Sequence, residues 1–341
     1  MVLLGIDWGA RRTGLAVTDA SWMLASPLAV IDTKKEMMKL SEIVQTSGAR
    51  RIIMGVPFSL STGEVKREWG GFSFFERLKP LVSCPFSWVD ETGTTHESYT
   101  RLSVEGMRFK KKRESVDKVA ASLILESFIQ ERKRRKNTVI AISGNLGTGK
   151  SFVARKLASL CNGFFLSADD ISRSLTAPGA AGALAVRELF GESFFSPDGI
   201  LDRKKLGEEV FSSPDKLNRL NNALHPLIRQ TMTEMIQQKT ESLIFAEIPL
   251  FAENKLYYLA DFSLLTKSSA DVIIARVKER DRRSVEEIHH ILKQQAPPRD
   301  VESLFDCAVD TSHGWDSYKE EVEQFLNEII SYHREIMSKG M

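Results

Sequence analysis

TVIAISGNLGTGKSFVARKLASL, residues 138–160, decides the fold of the larger part of this chain. Its opening, with β-branched Val139, Ile140 and Ile142, reads as a buried strand, and from Lys150 onward apolar residues recur at helical spacing. Between them lies a turn dense in glycine, and residues 144–151, GNLGTGKS, fit the pattern G-x-x-x-x-G-K-[ST]. Glycines let successive backbone N–H groups close around a polyphosphate at a helix N-terminus, the lysine reaches the outer phosphates, and the hydroxyl holds Mg²⁺. A Gly-rich turn matching the octet by chance would not also have a strand before it and a helix after it. The stretch therefore predicts ATP bound with Mg²⁺ by Gly144, Asn145, Leu146, Gly147, Thr148, Gly149, Lys150, Ser151 and Phe152, with Ser151 as a ligand of the ion.

A chain of 341 residues is long for a single core, so two domains are expected, and an apolar fraction of 42% suits ordinary globular cores. No apolar run approaches the roughly 18 to 20 residues of a bilayer span. The opening MVLLGIDWGARR lacks a signal-peptide layout, so the expected location is cytoplasmic, with no membrane partner. Cys84, Cys161 and Cys307 are odd in number, far apart and without metal-ligand spacing, which predicts free thiols. Net charge is +2, unevenly placed: residues 1–136 carry 23 Lys and Arg against 16 Asp and Glu, and residues 137–341 carry 24 against 29. Only the first part suits a polyanion. The change falls at ERKRRKN, residues 131–137, which reads equally as a solvated helix end or as a nucleic-acid contact.

Ahead of that joint, an apolar strand ends on Asp7, a tight turn follows at residues 9–12, and further strands are expected at residues 13–18, 24–31, 51–56 and 86–89. A helix spaced by Trp69, Phe72, Phe75 and Leu78 precedes the last of these, which ends on Asp90 and Glu91. A final helix, with Ser115 as the expected N-cap, carries Asp117 in its first turn. Carboxylates at three element ends could hold one or two Mg²⁺ or Mn²⁺ ions for phosphodiester hydrolysis. Each also has a structural reading: a strand cap, a turn residue and a first-turn helix charge. RFKKKR, residues 108–113, would engage phosphates with little sequence preference, or be a solvated loop.

Order and residues together go further. LLGIDWGARRTGLAVTD, IIMGVP, VDET and SVDKVAASLILESFI resemble the Holliday-junction-resolvase-like family of pre-16S rRNA nucleases, over nearly all of residues 1–130. The resemblance implies an RNase H-like fold, a metal site and catalytic acids at Asp7, Glu91 and Asp117, and RNA or branched DNA as partner. The family's D-E-R is Asp90-Glu91-Thr92 here, so one basic side chain is absent.

Beyond the phosphate loop, a short strand at residues 163–166 leads into Ser167-Ala168-Asp169-Asp170. A carboxylate at the end of the strand next to the loop can accept a proton from an attacking hydroxyl, or simply cap the helix. Another strand, at residues 243–247, ends on Glu247, where a second contact to Mg²⁺ is expected. Arg276, Arg280, Arg282 and Arg283 cluster around a helix end, as a lid over a nucleotide would, or a solvated face. Pro178-Gly179, Asp198-Gly199, Leu201-Asp202-Arg203, His225-Pro226, Pro249-Leu250 with Glu253, and Arg280-Asp281 add to the phosphate loop a long ordered match, from about Val139 to His313, that resembles dephospho-coenzyme A kinase. The resemblance implies Asp169 as base, Lys150 and Arg280 as catalytic cations, and Arg173, Arg203 and His225 around the dephospho-CoA acceptor. His225 reads equally as a structural histidine.

The expected architecture is α/β: an RNase H-like mixed-sheet domain at residues 1–132, a basic linker at 133–137, and at 138–341 a P-loop NTPase domain with a parallel sheet, a helical acceptor region and a lid. The expected function is bifunctional, a kinase acting on the ribose 3′-hydroxyl of dephospho-CoA joined to a metal-dependent nuclease. Two alternatives stay open on the residues: a first domain that binds nucleic acid without cutting it, and a nucleoside-type acceptor for the kinase. The oligomeric state is not legible.

Overall fold

The structure, a computed structural model, describes residues 1–58, 65, 68–91, 109–211 and 213–339, with the backbone alone for residues 109–118 and 211. Strands β1 (Val2–Trp8), β2 (Arg12–Thr18), β3 (Ala25–Asp32), β4 (Ala49–Val56) and β5 (Phe86–Asp90) form one sheet in the order β3-β2-β1-β4-β5. The first three are antiparallel, while β1, β4 and β5 run parallel. This is the mixed sheet expected for residues 1–132. Alternation along β1 sends Leu4 and Ile6 into a core with Leu40, Val44, Phe72 and Phe75, and Leu3 to the opposite face with Ala121, Ile124 and Leu125. Parallel direction places Asp7, near the end of β1, and Glu91, just after β5, at the same end of the sheet.

β6 (Thr138–Gly144), β7 (Phe164–Ser167), β8 (Leu243–Glu247), β9 (Phe262–Lys267) and β10 (Cys307–Asp310) form a second sheet, all parallel, in the order β10-β9-β6-β8-β7. Its strands are continuous apolar runs because both faces are covered. The helix Lys319–Lys339 buries Val322, Phe325, Ile329 and Tyr332 on one face, while Met232, Ile236, Phe251 and Tyr257 fill the other.

Three expectations need correction. The helix carrying Asp117 spans Phe109–Arg134, so Ser115 lies inside it and not at its N-cap. Residues 109–114, FKKKRE, contain good helix formers and no breaker, so the helix starts early. The strand leading to Asp169 is not beside the phosphate-loop strand: β8 lies between them and brings Glu247 next to the loop. The third concerns the basic joint. Its helix continues to Arg134, and neither a solvated end nor a nucleic-acid contact describes Arg132 and Arg135, which both pair with the buried carboxylate of Asp261, Arg135 Nη2 at 2.5 Å.

The two sheets meet through the N-terminal ends of their strands. Asp261, just before β9, also accepts from the Val139 amide near the start of β6 at 2.9 Å, and its carbonyl accepts from Arg51 Nη1 at 2.8 Å. Arg51, near the start of β4, is fully buried with its guanidinium over the rings of Phe262 and Tyr332, at 4.3 and 3.7 Å. Lys79 pairs with Asp306 at 2.5 Å, and the Met1 ammonium pairs with Glu335. Strand direction therefore puts Asp7, Glu91, Gly144 and Glu247 at the opposite ends of their strands.

Candidate active sites

β6 runs into the phosphate loop at Gly144, whose φ is 143° and where a Cβ would lie 2.2 Å from the Thr266 carbonyl oxygen. No side chain fits there. Gly147 and Gly149 are also left-handed, and Gly149 is the N-cap of the helix Lys150–Leu160. Thr148 Oγ1 donates to Asn145 O at 2.8 Å, and Lys150 Nζ folds back onto the same carbonyl at 2.8 Å. Burial pulls the Lys150 ammonium below its ordinary pKa, and the carboxylates of Glu247 and Asp169 oppose that pull. Ser151 Oγ donates to Glu247 Oε1 at 2.7 Å, with Glu247 only 6% exposed at the end of β8. A hydroxyl and a carboxylate so close beside a left-handed glycine turn that opens a helix fit a Mg²⁺-bound nucleoside triphosphate. Phe152, the last residue expected in this set, is exposed, and its ring meets that of Trp315 edge-on at 6.4 Å.

Asp169 is exposed in the first turn of the helix Ala168–Leu175, where the Ser167 hydroxyl caps the Asp170 amide at 3.3 Å. Its charge reaches both Lys150 and Arg280. Arg280 makes a two-pronged pair with its neighbour Asp281, at 2.7 and 2.8 Å. It sits at the end of the helix Ala270–Asp281, which turns through left-handed Arg282 into the helix Val285–Lys293, opened by a Ser284/Glu287 capping box. Arg173 is exposed and pairs with Asp170 at 3.4 Å. Arg203 donates to Thr176 Oγ1 and to the Arg173 carbonyl at 3.4 Å. Burial and the nearby Arg173 charge both lower the Arg203 pKa. His225 is half-buried midway along the helix Pro214–Gln238.

Sequence reasoning missed three residues that shape the loop. Gln295 Oε1 accepts from the Leu146 amide at 3.0 Å, and the Ala296 carbonyl accepts from Asn145 Nδ2 at 3.1 Å. Arg276, expected in the lid cluster, instead donates to the Thr311 carbonyl at 2.7 Å and to its hydroxyl at 3.1 Å, and Thr311 Oγ1 in turn donates to Thr148 O at 2.8 Å. No local motif marks Gln295 or Thr311, because their partners in the loop lie more than a hundred residues away in the chain.

In the first sheet, the Glu91 amide donates to Val56 O at 3.0 Å. Burial, followed by the charges of Asp7 and Asp90, pushes the Glu91 carboxyl up to about 8. Gly55 leaves its room, since a Cβ there would lie 2.3 Å from Glu91 Oε2. Crowded negative charge of this kind fits a divalent cation. Among the described residues there is no group of three metal-ligating side chains. Asp117 belongs to a helix segment described by its backbone alone, and Thr92 and Arg108 lie outside the described residues.

The family model for dephospho-CoA kinase matches residues 138–316, more than half of the chain. The chain belongs to the dephospho-CoA kinase family. It is similar to the dephospho-CoA kinases of Shigella flexneri, 34% identical over 54% of this chain and 89% of that one, and of Aliivibrio fischeri, 35% identical over 51% and 96%. A solved structure, TT1252 from Thermus thermophilus, is 27% identical and superposes with a TM-score of 0.50, covering 57% of this chain and 97% of its own. The chain carries a second match ahead of the kinase family's residues: the Holliday junction resolvase family model covers residues 1–131. Among the described residues no helix is long and apolar enough to cross a membrane.

Proposed function

We propose that residues 138–341 form a kinase domain that transfers the γ-phosphoryl group of ATP to the ribose 3′-hydroxyl of dephospho-CoA. The observation that carries this reading is the pairing of Ser151 with Glu247 at 2.7 Å beside Lys150, with the Asp169 charge reaching that lysine. Asp169 accepts the proton of the 3′-hydroxyl as its oxygen bonds to phosphorus and the bond to the β–γ bridging oxygen breaks. Lys150 and Arg280 hold the charge that moves onto the departing ADP. Arg173 and Arg203 face the anionic part of the acceptor. Ser151 and Glu247 would hold Mg²⁺, which supplies electrostatic stabilisation of the phosphate oxygens when bound.

The purified chain, given ATP, Mg²⁺ and dephospho-CoA, should release ADP and CoA. Lys150→Ala should abolish turnover, and Asp169→Asn should lower kcat by about 10² to 10⁴ with little change in either KM. A nucleoside that outperforms dephospho-CoA in an acceptor panel would replace the acceptor named here.

For residues 1–132 we infer a metal-dependent nuclease acting on structured RNA or branched DNA, with Asp7, Glu91 and Asp117 as ligands of Mg²⁺ or Mn²⁺. The raised Glu91 beside Asp7 supports it. Cleavage with Mn²⁺ that disappears in Asp7→Asn supports catalysis, whereas tight binding without cleavage makes this half a recognition module, the reading favoured by Thr92.

A further inference from the structure

The connection from β8 to β9 is a wall with two sides. On the inner side, the Phe251 amide donates at 3.4 Å to the hydroxyl of Ser143, which immediately precedes the phosphate loop, and the Glu253 charge reaches Lys150. On the outer side the wall meets the helix Gly70–Leu78 of the first sheet. Tyr257, 4% exposed, shares its hydroxyl proton between Glu76 Oε1 and the Ala252 carbonyl, each at 3.2 Å. Its ring lies 4.5 Å from that of Phe75 and stacks on Trp88 at 6.2 Å.

Between the two sides the backbone is left-handed at Leu250 and Lys255, with φ of 52° and 54°. Side-chain-bearing residues hold that conformation only where surrounding packing over-determines it. The local hydrogen bonds, Asn254 to Leu250 and Lys255 to Ala252, close two short turns, but neither fixes the turns against the phosphate loop. The Phe251 amide on Ser143 does so from the inner side, and from the outer side Glu76 and the Ala252 carbonyl hold one hydroxyl between them, which ties the turns to the first sheet's helix.

We propose that Glu76, acting through Tyr257, is a positioning residue for phosphoryl transfer, so that the first half of the chain completes the wall that backs the phosphate loop at Ser143. This rests on the kinase reading above. The wall meets β6 at Ser143, one residue ahead of the loop, so losing the outer contact misaligns the loop around the transferring group more than it weakens ground-state nucleotide binding.

The test is steady-state kinase kinetics of the full chain with Glu76→Ala, Glu76→Gln, Tyr257→Phe and the Glu76→Ala/Tyr257→Phe pair, alongside thermal unfolding of each. Glu76→Ala should lower kcat about 3- to 10-fold, the effect of one well-placed hydrogen bond, with KM for ATP unchanged. Glu76→Gln, which still accepts the bond, should restore kcat, and the double variant should be no slower than the slower single one. Equal kcat in Glu76→Ala and the parent overturns this inference alone, because the parent still makes CoA. Additive losses, or losses matched by the unfolded fraction, overturn it as well. A parent that makes no CoA overturns both this inference and the reading beneath it.

Discussion

Glu91 shares a sheet end with Asp7 and Asp90, and its carboxyl holds a proton up to about pH 8 against an ordinary value of 4.5. Between those values the folded chain binds more protons than the unfolded one, so this residue makes stability fall as pH rises through that window and level off above it. In chelator-treated protein, Glu91→Gln should therefore raise Tm at pH 9 and leave it nearly unchanged at pH 4. Thermal unfolding at the two pH values checks this, and an equal gain at both would mean that the burial of charge is not what Glu91 costs the fold. Added Mn²⁺ should then stabilise the parent at pH 8 and fail to stabilise the variant, since the cation offsets a repulsion that the amide no longer has.

The hairpin of the helices Ala270–Asp281 and Val285–Lys293 meets the phosphate loop through a clamp at its far end. Gln295 accepts from the Leu146 amide, and Asn145 donates to Ala296, so the end of the helix Val285–Lys293 is fastened to the first residues of the loop. Leu146 also packs on Ile273, Val277 and Ile288. Removing the amide side chain in Gln295→Ala should raise KM for ATP about 3- to 10-fold, one lost hydrogen bond's worth, while KM for dephospho-CoA stays within about twofold. Equal changes in both would point to a general loss of shape. This clamp marks the limit of what the sequence shows. The strand ending at Gly144, the glycine turn, Lys150 with Ser151, and the strand ending in Glu247 were all legible, because each is a local pattern of apolar runs and turn residues. The order of the strands was not, since β8 enters between β6 and β7 from about eighty residues further along the chain. The start of the helix at Phe109 was missed because lysines carry no apolar period. Arg132 and Arg135 read equally as a solvated helix end or a nucleic-acid contact because their partner, Asp261, is more than a hundred residues away.

At the scale of the molecule the two halves dock back to back, and Asp261 is the node of the contact. Its carboxylate, 3% exposed, meets Arg132, Arg135 and the Val139 amide, while its carbonyl meets Arg51. The excess of positive charge in residues 1–136 and of negative charge beyond them is thus partly spent inside the interface, where Lys79 and Asp306 add a second pair. Truncating one side of such a cluster leaves the buried Arg132 guanidinium without its counter-ion and Arg135 with Glu131 alone, so Asp261→Ala should cost about 3 to 5 kcal/mol, and Asp261→Asn, which can still accept the Val139 bond, somewhat less. Urea unfolding followed by far-UV circular dichroism and by tryptophan fluorescence measures the cost. Four of the five tryptophans, Trp8, Trp22, Trp69 and Trp88, lie in the first half, so fluorescence reports chiefly on that half. One core cluster joins Leu4, Ile52 and Phe72 to Val139, Ile244 and Phe251, so both probes should shift together in the variant. A first-half transition left in place while the rest of the chain unfolds earlier would show that the halves are merely tethered. High salt separates the remaining possibility: a buried pair is weakly screened, so the cost should persist in 1 M NaCl, where the Debye length is about 3 Å and the effect of a surface pair would fade.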